Sequence, residues 1–245
     1  MMDWGIMKTL LVLFILVTFA NAQEQDNSPY SATISLGGLF TTGNTELSQI
    51  DTELEVSRVL DGPELTATIL ASASYGKQSE QIYREKYLTL LNIRYEFTER
   101  MYSSIDGRWF SNEFIGISDE YRASAGVGWR ILRGGILELS SEAGAGYYHR
   151  KNIADDVLET SLGYSALMAD LTLSHSWSIS ETAYILADLN EFDNYYLVSD
   201  LEAASSITDN LSFVMGYNLI HFTVPPVPGL KETDTALRLQ LRFDL

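Results

Sequence analysis

Three histidines, a serine on either side of one of them, and two adjacent pairs of carboxylates are the side chains here with the clearest capacity for chemistry. Nucleophilic catalysis needs a hydroxyl activated by a neighbouring base and a third group that orients the base. The nearest string is Ser174-His175-Ser176, but on an extended strand His175 points to the opposite face from both serines. The nucleophile-elbow pattern G-x-S-x-G does not occur. His149 and His221 both fall near longer connections, where a shared site is conceivable, yet neither has the H-x-x-x-H spacing of a metal site. Asp119-Glu120 and Asp155-Asp156 offer hard oxygen ligands that suit calcium, or a divalent bridge to lipopolysaccharide phosphate. Solvated loop charge is the plainer reading of both pairs. The glycine-bearing stretch LFTTGNTE, 39–46, would cradle phosphate only if a helix began after it.

No helix begins there. Residues 47–59, LSQIDTELEVSRV, alternate Ile50, Thr52, Leu54 and Val56 with Gln49, Asp51, Glu53 and Glu55, the period-two signature of a strand. The same alternation recurs along the chain. Tyr83, Tyr87, Leu91, Ile93, Tyr95 and Phe97 oppose Arg84, Lys86, Asn92, Arg94 and Glu96, and Leu237, Leu239, Leu241 and Phe243 oppose Arg238, Gln240 and Arg242. Turn signals separate the runs in two classes. Short ones stand at 61–62, 98–100, 133–135, 179–181 and 208–210; longer ones stand at 42–46, 76–81, 114–120, 151–156, 192–195 and 224–233. Short and long connections alternate, which predicts about twelve antiparallel strands in an up-and-down arrangement, with both termini on the short-turn side.

Face parity then predicts register. With even residues apolar on both flanks of TTGNTE, Thr42 faces Glu46 across a three-residue loop, Ile34 faces Leu54 and Ala32 faces Val56. Asp61-Gly62 reads as a two-residue turn that sets Leu54 opposite Ile69. Residues 157–178 read as one long strand whose apolar positions change parity between Met168 and Leu171, and a β-bulge near Ala169 or Asp170 would account for the change. Residues 182–206 are too weakly patterned for a face assignment.

The faces decide the architecture. The polar faces carry Asp51, Glu53, Glu55, Arg84, Lys86, Arg94, Asp106, Arg108, Arg122, Arg130, Glu138, Glu142, Arg238 and Arg242, with both signs interspersed. That list suits the water-facing interior of a transmembrane barrel, while the apolar faces, with aromatics towards strand ends, suit lipid and its interfaces. Closure leaves no unpaired edge in hydrocarbon. The fold class expected is therefore all-β, a transmembrane antiparallel up-and-down β-barrel over residues 23–245. A secretory signal peptide occupies 1–22, where a charged start and a short apolar run end at Ala20-Asn21-Ala22. A formal net charge of −17 and the lack of basic clusters argue against a nucleic-acid partner. The chain has no cysteine, hence no disulfide framework and no thiolate chemistry. No cofactor or metal is expected, and no catalytic residue.

The segments GGLFTTGNTE, YEFTERMYSSIDGRWFSNEFIGI, YRASAGVGWRIL and LELSSEAGAGYYHRKN resemble the YdiY-like family, often labelled salt-induced outer membrane proteins. The TTGNTE element and the arginine-then-G-x-G-aromatic element carry most of the resemblance, and neither is a catalytic signature. The resemblance implies a barrel in the outer membrane of a Gram-negative bacterium, inserted by the barrel-assembly machinery among outer-membrane lipid and lipopolysaccharide. By the same resemblance its role is a narrow solute pathway or a structural envelope protein linked to salt stress. The chain departs from the usual terminal signal: it ends RFDL, with Phe243 two positions before the end. A lipid- or lipopolysaccharide-modifying enzyme and a secreted soluble β protein are the alternatives.

Overall fold

A computed structural model describes residues 30–41, 47–61, 65–78 and 81–245. The signal-peptide segment 1–22, the start of the mature chain near Gln23 and the TTGNTE loop residues 42–46 lie outside the described residues. The strands are β1 (Tyr30–Thr41), β2 (Leu47–Asp61), β3 (Leu65–Gln78), β4 (Gln81–Glu96), β5 (Met101–Asn112), β6 (Ile117–Leu132), β7 (Leu137–Asn152), β8 (Val157–Ser174), β9 (Trp177–Asp188), β10 (Tyr195–Thr208), β11 (Leu211–Phe222) and β12 (Thr233–Asp244). Each pairs antiparallel with its neighbours in sequence, and β12 returns to β1 to close the barrel. A single turn of 3-10 helix, Glu113–Ile115, sits between β5 and β6.

Why the chain closes this way follows from its two faces. On β12 the outward Leu237 is 61% exposed and Leu239 51% exposed, whereas the inward Gln240 is 4% exposed. An outer surface so rich in leucine, isoleucine and tyrosine has no core to cover it. In hydrocarbon each such large side chain contributes about 1.5–3 kcal/mol relative to water. Outward Trp129, Trp177 and Phe97 ring the short-turn end, and outward Tyr121, Tyr147 and Tyr195 ring the other, as interfacial aromatics do.

The register of the first hairpin is the expected one. Ile34 pairs with Leu54, Ala32 with Val56, and the ladder reaches Thr41 opposite Leu47. The second differs: Leu54 pairs with Ala71 and Val56 with Ile69, and the ladder ends in an irregularity at Asp61 opposite Leu65. A two-residue Asp-Gly turn would have placed Pro63 opposite Leu60 in the ladder, and proline has no N–H to give. The slip is by two residues, so the acidic row still points inward.

The expected bulge near Ala169 is absent. The β7–β8 ladder runs unbroken from Lys151–Val157 to Glu138–Asp170 and Leu137–Leu171. A register shift occurs instead between Thr172 and Ser174 against β9. Trp177 begins the next strand, so the turn is at 175–176, and Ile179-Ser180-Glu181 lies inside β9. The apolar even positions of β8, Leu158, Leu162, Tyr164 and Met168, face inward because part of the interior is itself apolar. The weak pattern of 182–206 has the same origin. Leu186, Tyr196 and Val198 point into that apolar region, while Ala183, Ala187, Ser199 and Ala203 take alternate outward positions.

Candidate functional site

The interior has three parts. Towards the long-loop end an apolar cluster packs the β5–β11 side of the barrel, with Phe110, Ile115, Ile117, Tyr148, Leu162, Leu186, Tyr196, Val198, Ile220 and Phe222 all buried. A cavity of about 160 Å³ remains beside Tyr83, Arg84, Lys86 and Asp234. Loops extend the cluster into a roof. Gly116, which follows the 3-10 turn in the left-handed region (φ 84°), abuts Leu230, Val227 and Pro226 of the β11–β12 loop. The β7–β8 loop joins them, with Asn152 Nδ2 donating to Pro226 O at 2.9 Å and Ile153 N to Gly116 O at 3.2 Å. The β5–β6 and β11–β12 connections lie on opposite sides of the barrel, so their contact straps the mouth. Tight backbone approach and positive φ both require glycine at 116.

Below the roof lies a cavity of about 580 Å³, walled mainly by β2–β4 and β9–β12 and completed by Arg108 and Phe110 of β5 and Arg122 of β6. It reaches the short-turn end at Thr33, Arg242 and Asp244. Its acids are Glu53, Glu55, Asp200, Glu202 and Asp244; its cations are Lys86, Arg108, Arg122, Arg238 and Arg242. The β12 arginines are paired: Arg238 lies 2.7 Å from Asp200, 3.3 Å from Glu202 and 3.9 Å from Glu53, and Arg242 lies 2.7 Å from Glu202.

The third part, beside β5–β8, is filled. Tyr164 Oη and Ser104 Oγ each donate to Glu142 Oε1 at 2.6 Å. The Tyr164 ring occupies the space where Gly126 and Gly144 lack side chains, and the Tyr102 ring covers Gly128. The G-x-G elements 126–128 and 144–146 thereby gain a physical reason, since a Cβ at 126, 128 or 144 would meet a tyrosine. Arg94 lies over the Tyr102 ring at 4.4 Å.

Seven of the charges read from the sequence as lumenal, Glu53, Glu55, Lys86, Arg108, Arg122, Arg238 and Arg242, line the cavity. Asp51 and Arg84 form an ion pair at 3.8 Å. Asp106 accepts from Asn92 Nδ2 at 2.8 Å, Arg130 pairs with Glu96, and Glu142 belongs to the tyrosine network. Glu138 is exposed near the short-turn end of β7. Sequence reasoning missed Glu120. By composition it groups with Asp119 in a loop, but β6 begins at Ile117, so alternation sends the two to opposite faces. Glu120 is buried inside, accepting from Tyr148 Oη at 3.0 Å, with Arg108 at 3.8 Å and Arg150 at 3.7 Å. Asp119 instead accepts from Trp109 Nε1 at 3.1 Å. Asp200 and Glu202, in the unassigned 182–206 stretch, were missed too.

The residues first considered for chemistry do not assemble. His149 lies 2.9 Å from Glu159, and His221 lies 2.8 Å from Thr233. They stand on β7 and β11, four strands apart in the barrel. Among the described residues no three His, Asp or Glu side chains gather as a metal site. Asp155 is engaged by Lys151 at 2.7 Å, and that hydrogen bond holds its carboxyl below the usual carboxylate range.

Comparison with known proteins agrees with the architecture. The chain is 21% identical over 220 residues to "Uncharacterized protein YdiY" of Escherichia coli (strain K12), an alignment covering 89% of this chain and 84% of that one. Its fold is similar to a NanC porin solved in a rhombohedral crystal form, with TM-score 0.55, 10% identity, and coverage of 86% of this chain and 100% of that one. It also matches the translocator domain of the autotransporter NalP from Neisseria meningitidis, with TM-score 0.47, 14% identity, and coverage of 96% and 95%. The family described as "Protein of unknown function, DUF481" matches residues 34–245, and the chain belongs to it.

Proposed function

We propose that this chain is a narrow outer-membrane pathway for small charged solutes, closed at its long-loop end. The observation that carries the reading is the unequal interior. A barrel needed only as a plug is served by filling, as the β5–β8 side is filled. The opposite side keeps about 580 Å³ of space lined by acids and bases of both signs. Buried charges need partners or water, and charged walls of this kind filter ions and polar solutes. On this reading the strap between Gly116 and the 226–230 segment is the gate, and the cavity is the vestibule on the periplasmic side.

The remaining assignments belong to the same proposal. The exported chain is inserted by the barrel-assembly machinery into a Gram-negative outer membrane, among lipopolysaccharide, and carries no catalytic step. Its use under salt stress follows from family resemblance, and a deletion strain should then grow more slowly at high salt. Single-channel recording in planar bilayers tests the pathway. Wild-type protein should give small, infrequent steps, and Val227→Ser with Leu230→Ser should make them larger and more frequent. Reversal potential should shift on Glu55→Gln. Silent bilayers with both proteins would assign a structural envelope role instead. Lipid hydrolysis abolished by His149→Ala would revive the enzyme, and a chain soluble without detergent would end the membrane reading.

A further inference from the structure

One wall of the cavity holds more positive charge than its surroundings neutralise. Lys86 on β4, Arg108 on β5 and Arg122 on β6 line this wall, and Arg150 on β7 points inward among Tyr148, Tyr196 and Phe222 of the apolar cluster above it. Arg108 and Arg122 stand directly opposite each other across the β5–β6 ladder, an arrangement that like charges disfavour. Among the described residues the carboxylate within 4 Å of any of the four is Glu120, which is shared between Arg108 and Arg150. Arg108 spends a further N–H on Tyr184 Oη at 3.0 Å.

Arg122 and Lys86 have no such partner. The Arg122 head lies 5.6 Å from the Tyr184 ring, and its Nε is buried without a hydrogen bond. The Lys86 ammonium lies 5.9 Å from the Phe110 ring. Of the acids that act on them from further away, Asp200 is held by Arg238, and Asp106, hydrogen-bonded to the neutral Asn92 amide, divides its charge between Arg122 and Arg94. A cation taken from water and left unpaired is costly, so this wall is arranged for an anion that arrives from outside the chain.

We propose that Arg122 and Lys86, with Arg108 behind them, form a binding site for a single oxyanion group, a carboxylate or a phosphate, carried into the vestibule. The guanidinium offers the fork that oxyanions match, and the ammonium a point charge. Leu88, Leu90, Phe110, Val198 and Ile220 supply apolar contact for a compact body. Glu53, Glu55 and Glu202 line the rest of the cavity, so a second anionic group is repelled and polyanions are rejected. The site depends on the pathway reading only for how the solute arrives.

Titration calorimetry and thermal unfolding of the detergent-folded barrel test it, with inorganic phosphate and propionate as probes. Wild type should bind and be stabilised by one or both, with phosphate alone marking the free ion and propionate alone a carboxylate solute. Arg122→Gln with Lys86→Gln should weaken binding by about tenfold or more, the loss expected when charge-assisted bonds are removed. The same variant should melt higher than wild type without the probe, because two unpaired cations have gone. Arg133→Gln, an exposed short-turn cation, should change neither. Absence of binding, or equal binding by the double variant, overturns the site. Conductance without binding leaves the pathway standing and removes the site; binding with silent bilayers does the reverse.

Discussion

The β5–β8 side of the interior and the β2–β4 side use the same strand geometry to opposite ends. On the first, tyrosines lie on glycines and a buried carboxylate takes two hydroxyl hydrogen bonds, so little space is left. On the second, serine, leucine and charged side chains stand off from one another around open volume. The barrel does not select between these outcomes. Side-chain size at inward positions does, and glycine opposite tyrosine is the device that fills.

The comparison can be broken most severely at Glu120. Replacing it with Gln strands Arg108 and Arg150, and removing one partner of a buried ion pair costs about 3–5 kcal/mol. Urea unfolding in lipid vesicles should report a loss of that size. Next comes Gly128→Ala, where the added methyl meets the Tyr102 ring and overpacking costs about 1–3 kcal/mol. Gly107→Ala is its control, since nothing lies within 4 Å of a Cβ there; equal effects would show that the tyrosine-on-glycine contact is not what fills this side. Tyr164→Phe removes one hydrogen bond to Glu142 and should cost about 1.5–3 kcal/mol, read by the same unfolding curves. Smallest in stability is Ser72→Leu on the open side, expected within about 0.5 kcal/mol because the space is already there. It should nonetheless reduce conductance, and a large destabilisation would mean that side is packed after all.

How far the sequence reveals this depends on which signal each residue sends. Period-two alternation places β2, β4, β6 and β12 and sorts their faces, because one face meets lipid and the other charge. Parity also sets the first hairpin's register. For the second the parity holds and the turn length misleads, because Pro63 removes the donor that a two-residue turn would use. Face parity fails for β8, whose inward Leu158 and Leu162 look like lipid-facing residues until the apolar interior is known. Glu120 is hidden because a strand start and a loop end look alike by composition, and the roof is hidden because Gly116 and Leu230 are far apart in sequence. The candidate site suffers most from this. Lys86 and Arg122 are legible as inward charges, but their shortage of partners depends on contacts among β4, β5, β6 and β9 that no local pattern records.

The closing seam has a consequence for how the barrel comes apart. Among the described residues the β12–β1 ladder runs from Asp244–Thr33 to Gln240–Gly37, with one more bond from Leu245 N to Ala32 O, whereas β12 meets β11 from Phe243–Leu211 to Thr233–His221. A side chain at Gly37 would press on Leu239 O at 2.6 Å, so that end of the seam tolerates little change. With the fewest bonds to break, this joint has the lowest local opening energy. Amide protons of β1 and β12 along it should therefore trade with deuterium before those of β6 and β7, and the ring should unzip there into an open sheet.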